Sequence, residues 1–593
     1  MNDEQNKDFE AMQKSLKELE DINNTVAKAY DIYKKFPDSE EVASQYVKTL
    51  DSLAEKQDNL ADVESTVTKA YGVYEKFSDS EDVAFQYISA LNTLASSQKS
   101  LADVTGTVAK AYGVYEKFPD SEDVASFYVG TLYTLAKRQG SLADITETVA
   151  KAYGIYEKFP DSEAVAYAYA KALVYLEIRQ DTEQDLMKTF DKVIEIYKKF
   201  SNKENIRNLL EDLISEDIIG NIFYSNDNLD SFNRDVVPVI KKMFNTIIEL
   251  DGLKLPGYAP LIELLKHLED SDKEQLIRIY QIVQKIKYQL SIKDLSEKKF
   301  GHYTSGDVLQ ILLKQSSDNK GKYSIEGRTR LGNVKYMNDP EEGTILDKYL
   351  GISESDNLED SLKPSPWFLM SLTTKVDNLS MWSQYGDSAE GVCLVLKTDS
   401  FKVYQSMAET EWIGKYAILE RKLTSTKYEE TNASYKKDYL YRICYLDEKS
   451  LINGNLIVVK ENNNNLLDDK EITSINKSLG ELKVILDDIK KNASLYSTIN
   501  KCLEEIRYLF KVSDYSYESE LRILRYADLT PDNKEIKIDN SGPVAKLFLE
   551  RDMPIQLEQV IFGPKFSNPE HVTPLLHLLD KNIGLKLSKI KFK

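Results

Sequence analysis

Four T-V-(A/T)-K-A-Y segments place Tyr30, Tyr71, Tyr112 and Tyr153 at intervals of 41 residues, and Phe36, Phe77, Phe118, Phe159 and Phe200 keep the same spacing. A fixed period of this length restricts the N-terminal third to a repeat architecture, in which each unit buries its apolar side only against its neighbours. Breaks follow the first four phenylalanines, at Pro37-Asp38-Ser39, Ser78-Asp79-Ser80, Pro119-Asp120-Ser121 and Pro160-Asp161-Ser162. Between breaks the apolar period is helical, with Val26, Tyr30 and Tyr33 at i, i+4 and i+7. The Asp or Ser at each break supplies an N-cap for the next helix. Leu60-Ala61-Asp62 and its copies at Leu101 and Leu142 mark a second break inside each unit. The chain is therefore expected to begin with an α-solenoid of helix–turn–helix repeats, with the four tyrosines in its core.

Over about residues 20–205 the array resembles tetratricopeptide-like repeats with a lengthened period. That resemblance implies a protein partner on a concave face. Residues 206–298 continue as helical sequence, read as a capping or connecting region, and His267 within it as a structural histidine. Hydrophobic residues at 42% and charged residues at 29% suit a globular chain, and a net charge of -20 weighs against a nucleic-acid coat, which needs Lys/Arg stripes. No run approaches the roughly 20 apolar residues that span a bilayer. The start, MNDEQNKDFEAMQKSLKELE, is polar, with no apolar core for a signal peptide. Cys393, Cys444 and Cys502 are too scattered for a disulfide framework or a zinc cluster. A cytoplasmic protein without membrane contact is expected.

From Phe300 the texture changes to strands and loops bearing Gly, Trp and Tyr. The marks run Gly301-His302-Tyr303-Thr304, Asn338-Asp339-Pro340-Glu341-Glu342, Ser371-Leu372-Thr373, Met381-Trp382-Ser383-Gln384-Tyr385 and the strand-like Gly391–Leu396. Tyr517-Glu518-Ser519-Glu520-Leu521-Arg522 and Ile561-Phe562-Gly563-Pro564 close the series. In order and composition, residues 299–593 resemble the bacterial domain-of-unknown-function 2971 family. The same order resembles the ADP-ribosyltransferase fold, which implies an α+β domain with a split β-sheet holding NAD as substrate in its cleft. Carried over, the resemblance gives His302, with Tyr303 and Thr304 beside it, the ribose-anchoring role. Ser371 and Thr373 take the middle strand, Tyr385 the nicotinamide-stacking ring with Trp382 as substitute, Glu520 the catalytic carboxylate and Glu518 the acceptor-orienting acid.

Those residue types suit the chemistry. Breaking the nicotinamide–ribose bond develops oxocarbenium character, and a fixed carboxylate stabilises charge present only in the transition state. Residues two apart in a strand share a face, so one cleft is expected to receive both Glu518 and Glu520. Imidazole is expected to donate one ring N–H to the ligand while backbone holds the other nitrogen. Each mark also has a plainer use: Glu518 and Glu520 as partners for Arg522 and Arg525, Trp382 and Tyr385 as core rings, Asn338-Asp339-Pro340 as a turn. No HExxH, P-loop or G-x-S-x-G motif occurs. Asp339, Glu341, Glu342 and His302 have no spacing that demands a metal, and none is predicted. Residues 401–440 and 455–510 are read as surface helical insertions. The expected whole is a bacterial stress, toxin or antiviral effector whose solenoid docks a partner or trigger while the second domain uses NAD. Its acceptor, protein or nucleic acid or water, stays open. The alternative is a non-enzymatic adaptor with a ligand-sensing C-terminal domain.

Overall fold

A computed structural model describes residues 22–591 except 178–179, 181, 221–236, 251–252, 254, 297, 318–322, 340, 353–361, 418–435, 448–466 and 490–491. The chain divides into two compact units, Met1–Ser225 and Asn226–Lys593. That division falls between the sequence boundaries at 205 and 298. Helices Val237–Glu249 and Asp270–Leu290 belong to the second unit.

The first unit is a run of paired antiparallel helices, such as Leu60–Lys76 with Glu81–Ser97 and Leu101–Lys117 with Glu122–Arg138. The second helix of each pair packs on its counterpart in the next, Glu40–Ala54 on Glu81–Ser97 and so onward to Glu163–Glu177. The break serines do the capping: Ser39, Ser80, Ser121 and Ser162 accept from the amides of Val42, Val83, Val124 and Val165. Inside the stack Thr66, Thr107, Thr148 and Thr189 each donate to a glutamine nine residues earlier, as in Thr107 to Gln98 at 2.9 Å and Thr148 to Gln139 at 3.0 Å. These bonds satisfy hydroxyls that the repeat period forces into the interior.

The four repeat tyrosines lie outside the core in which they were expected. Tyr30, Tyr71, Tyr112 and Tyr153 are 39–44% exposed. The buried stripe runs one residue earlier, through Thr66, Ala70 and Val73 and their copies. Threonine, alanine and valine occupy that stripe in the Leu60–Lys76 helix. The tyrosines fall on the margin, where Tyr71 and Tyr74 lean on Tyr87, the latter stacked at 4.8 Å between centroids.

Among the described residues the second unit is α+β, built on a ten-stranded sheet. In chain order its strands are β1 Phe300–Thr304, β2 Arg330–Asn333, β3 Trp367–Thr373, β4 Val392–Leu396, β5 Tyr441–Arg442, β6 Glu520–Tyr526, β7 Lys537–Asp539, β8 Lys546–Glu550, β9 Leu557–Phe562 and β10 Gly584–Leu587. The order is β7-β8-β2-β3-β1-β4-β9-β10, with β6 paired to β3 and β5, and every pairing is antiparallel except β9 with β10. β3 is the pivot. Along one edge β6 pairs with it end to end, from Glu520 opposite Thr373 to Tyr526 opposite Trp367. On the other edge β1 meets only Thr373, through Gly301, and β2 meets only Phe368 and Leu369. β1 and β2 therefore diverge, and the sheet opens beside Met370–Leu372. Phe368, Met370, Leu372, Leu521 and Ile523 fill a core on one face. The alternate residues Ser371, Thr373, Glu520 and Arg522 are left for the other.

The expectation of surface insertions is also corrected, within the described residues. Helices Asp469–Ile489 and Ala493–Arg507 pack on Asp270–Leu290, with Leu479, Leu482, Ile499 and Cys502 fully buried. Between residues 401 and 417 lie short strand and turn segments rather than a helix of the expected kind, and Trp412 stacks on Tyr280 at 5.5 Å. Residues 418–435 and 448–466 lie outside the described residues. Charged composition misled because Lys287 and Glu505 are used inside the unit, as a pair with no solvent exposure. No described helix is long and apolar enough to cross a membrane.

Candidate functional site

The opening in the sheet is the mouth of a cavity of about 330 Å³. Its lining takes His302 and Tyr303 from β1, Ser371 and Thr373 from β3, Tyr385 from the end of helix Leu379–Gln384, and Glu518 and Glu520 from the approach to β6. Seven of the nine residues singled out in the sequence thus share one cavity. Thr304 and Trp382 are not in its lining. Trp382 is fully buried, crosses Tyr303 edge-on at 4.7 Å and donates Nε1 to Asp377 at 2.8 Å. It is a core ring, which removes it as the substitute stacking residue.

Glu520 opens β6 and is 4% exposed. Its Oε1 accepts from Ser371 Oγ at 2.5 Å and Arg522 Nε at 2.8 Å, and its Oε2 from Arg522 Nη2 at 3.0 Å and Lys511 Nζ at 3.3 Å. Burial works to raise this carboxyl, but the charges of Arg522 and Lys511 and the hydrogen bonds from Arg522 and Ser371 outweigh it and hold Glu520 at about 2. A carboxyl depressed in the folded state stabilises the fold above its unfolded value and loses that contribution as pH falls through the folded one. The stability difference between the wild type and Glu520→Gln is expected to be full at pH 6 and to shrink between pH 4.5 and about 2, a change on the order of 3 kcal/mol. Urea unfolding at several pH values measures it, and a difference independent of pH would refute the assignment.

Glu518 reaches the cavity by a route other than a shared strand face. It ends a 3₁₀ segment, Ser513–Glu518, and Ser519 turns the chain in the left-handed region at φ 46° before β6 begins. The neighbours sharing a face two apart are instead Glu520 and Arg522. Glu518 is held by Tyr385, which donates to Oε1 at 2.5 Å, by Lys511 to Oε2 at 2.7 Å, and by Thr373, which donates to its backbone carbonyl at 2.6 Å. Burial, and then the hydrogen bond to Glu518, push the Tyr385 phenol up.

His302 is half-buried at the opening, with Nδ1 3.0 Å from the Ser371 carbonyl. A carbonyl only accepts, so Nδ1 is the donor. Burial lowers the imidazole pKa, despite the opposing pull of that carbonyl. The ring is then neutral at pH 7, and Nε2 offers a lone pair. The expectation that it donates to a ligand is replaced by acceptance of a ligand O–H or N–H. Tyr303 spends its hydroxyl on the Lys375 carbonyl, at 2.7 Å, and the Asn378 amide, at 3.1 Å.

Four further residues complete the site. Arg522 clasps Glu342 through Nη1 at 2.5 Å and Nη2 at 2.8 Å, and donates to the Tyr508 carbonyl at 2.7 Å. Burial, helped by the Glu520 charge and opposed by Arg522, raises the Glu342 carboxyl. Lys511 comes from the short strand Phe510–Val512, beside Cys444–Leu446. Arg330 lines the cavity while paired with Asp539 at 2.8 Å. The position of Arg522 two residues after Glu520 and that of Glu342 in N-D-P-x-E were visible signals; nothing in the sequence marks Lys511. Arg525, the other suggested partner of the two acids, pairs with Asp438 and Asp552. Among the described residues no three His, Cys, Asp or Glu side chains are grouped so as to hold a metal ion.

No curated protein matches the chain. Residues 381–523 match the family described as a protein of unknown function, DUF2971. The matched stretch runs from the Met381-Trp382 mark to Glu518, Glu520 and Arg522, and it covers less than half of the chain.

Proposed function

We propose that the second unit acts on NAD, as an ADP-ribosyltransferase or an NAD hydrolase, and that the repeats recognise a protein partner or trigger, as in a bacterial toxin or defence effector. One observation carries this: His302, Tyr385, Glu518 and Glu520, chosen for NAD chemistry from segments up to 218 residues apart, line a single cavity. A ribose hydroxyl of a ligand at the opening would donate a hydrogen bond to His302 Nε2. Glu520, anionic through Arg522, would face the carbon from which nicotinamide departs and stabilise its growing positive charge. The longest of its contacts, Lys511 at 3.3 Å, is the one a ribose hydroxyl would most readily replace. Glu518, held by Tyr385, would orient the acceptor.

A ligand-sensing pocket without catalysis has its own supporting observation: Ser371, Arg522 and Lys511 already occupy the Glu520 oxygens. Nicotinamide release from NAD separates the two. The wild type is expected to release it, Glu520→Gln to be slower by about 10²–10³-fold with an unchanged circular dichroism spectrum, and His302→Ala to be slowed as well. NAD binding without release would favour the sensing pocket, and equal release by wild type and Glu520→Gln would remove Glu520 as the catalytic carboxylate.

A further inference from the structure

Of the acids lining the cavity, Glu342, Glu518 and Glu520 each accept from Arg522 or Lys511. Asp339 differs. It is 6% exposed and lines the same cavity. Its Oδ1 accepts the Glu341 amide at 2.9 Å, which closes the turn, while its Oδ2 is buried with no hydrogen-bond partner among the described residues. Leaving a buried carboxylate oxygen unpaired costs free energy that an amide or an apolar side chain would avoid. An unpaired oxygen on a residue of the cavity lining suits a site whose partner arrives with a ligand.

We propose that Asp339 is a ligand-binding carboxylate of this cavity, taking through Oδ2 an O–H or N–H donor of the bound molecule. This rests on the NAD proposal, under which the donor is a ribose hydroxyl or the nicotinamide carboxamide. Asp339 is a specificity residue. It selects ligands that present a donor and disfavours those that present an acceptor or a phosphate there, because like charges repel and an acceptor leaves Oδ2 unpaired. The cavity would then hold its ligand from two sides, by His302 Nε2 and by Asp339 Oδ2, both acceptors. A polyhydroxylated ligand fits that pair.

Asp339→Asn tests this, because the amide keeps the Oδ1 contact and the shape while placing a donor or a weaker acceptor at Oδ2. The full-length protein and the variant are titrated calorimetrically with NAD and with ADP-ribose, and both are melted without ligand. The expected result is a Kd for NAD raised by about 10- to 100-fold, with a melting temperature unchanged or higher. An equal loss for ADP-ribose identifies the ribose hydroxyl as the donor; a loss confined to NAD identifies the carboxamide. Wild-type and variant proteins that bind NAD equally overturn the role of Asp339 and leave the NAD proposal standing. A wild type that binds neither probe overturns both. A variant that melts several degrees lower with unchanged affinity assigns Asp339 to the fold.

Discussion

Arg522→Leu is expected to lower the stability of the second unit by about 3–5 kcal/mol, because it strips the cation from two buried carboxylates at once. Arg522 is 1% exposed and donates to both oxygens of Glu342, both oxygens of Glu520 and the Tyr508 carbonyl. The leucine variant would leave Glu342 without its guanidinium clasp and Glu520 with Ser371 and Lys511 alone. Arg522→Lys is expected to fall between, since a point charge cannot serve two carboxylates through a planar fork. The deficit should narrow as pH falls toward 4, where the stranded acids take up protons instead of standing unpaired. Urea unfolding followed by tryptophan fluorescence reads this unit, since Trp367, Trp382 and Trp412, the three tryptophans of the chain, all lie in it. A loss below about 1 kcal/mol, the scale of an exposed pair, would mean that the cluster is solvated. Because Arg522 also fixes Glu520, the same variant should lose any turnover of NAD, and Arg522→Lys should recover part of it.

What could be read from the sequence follows the range of the interaction. The repeat array was legible because serines that cap and breaks that stop helices act within a few residues, and a period of 41 repeats them along the chain. The inward-facing stripe was not. Val26, Tyr30 and Tyr33 satisfy a helical period, yet so do Thr66, Ala70 and Val73 one residue earlier in the next copy, and only packing against neighbouring helices decides between them. In the second unit the acids were visible as a pair, but Ser519 breaks the strand between them, and a left-handed serine leaves no mark in a propensity. Lys511 was out of reach for another reason. It directly follows the stretch 455–510 that reads as a surface insertion, and only the pairing of Phe510–Val512 with Cys444–Leu446 carries it to Glu518 and Glu520.

The same misjudged stretch yields the other large effect. Lys287→Met is expected to cost the second unit about 3–5 kcal/mol, although methionine matches the lysine stem in length and suits a helix. Lys287 and Glu505 are both fully buried, with Nζ 2.5 Å from Glu505 Oε2 and 2.5 Å from the Glu411 carbonyl. Glu505 also accepts the amides of Ile413, at 2.8 Å, and Gly414. One ion pair thus joins helix Asp270–Leu290 to helix Ala493–Arg507 and ties both to the turn that carries Trp412. Methionine would leave the Glu505 charge with two backbone donors and no cation, which is the expensive state. Adding Glu505→Gln removes that charge and keeps a side chain able to accept an amide, so Lys287→Met/Glu505→Gln should be more stable than Lys287→Met alone. The double-mutant cycle isolates this coupling, and Trp412, stacked on Tyr280 of the first helix, supplies the signal. Strictly additive losses would show that the pair contributes nothing beyond packing. A coupling of about 2 kcal/mol or more would mark the Lys287–Glu505 contact as the point at which the helices of this unit are locked together.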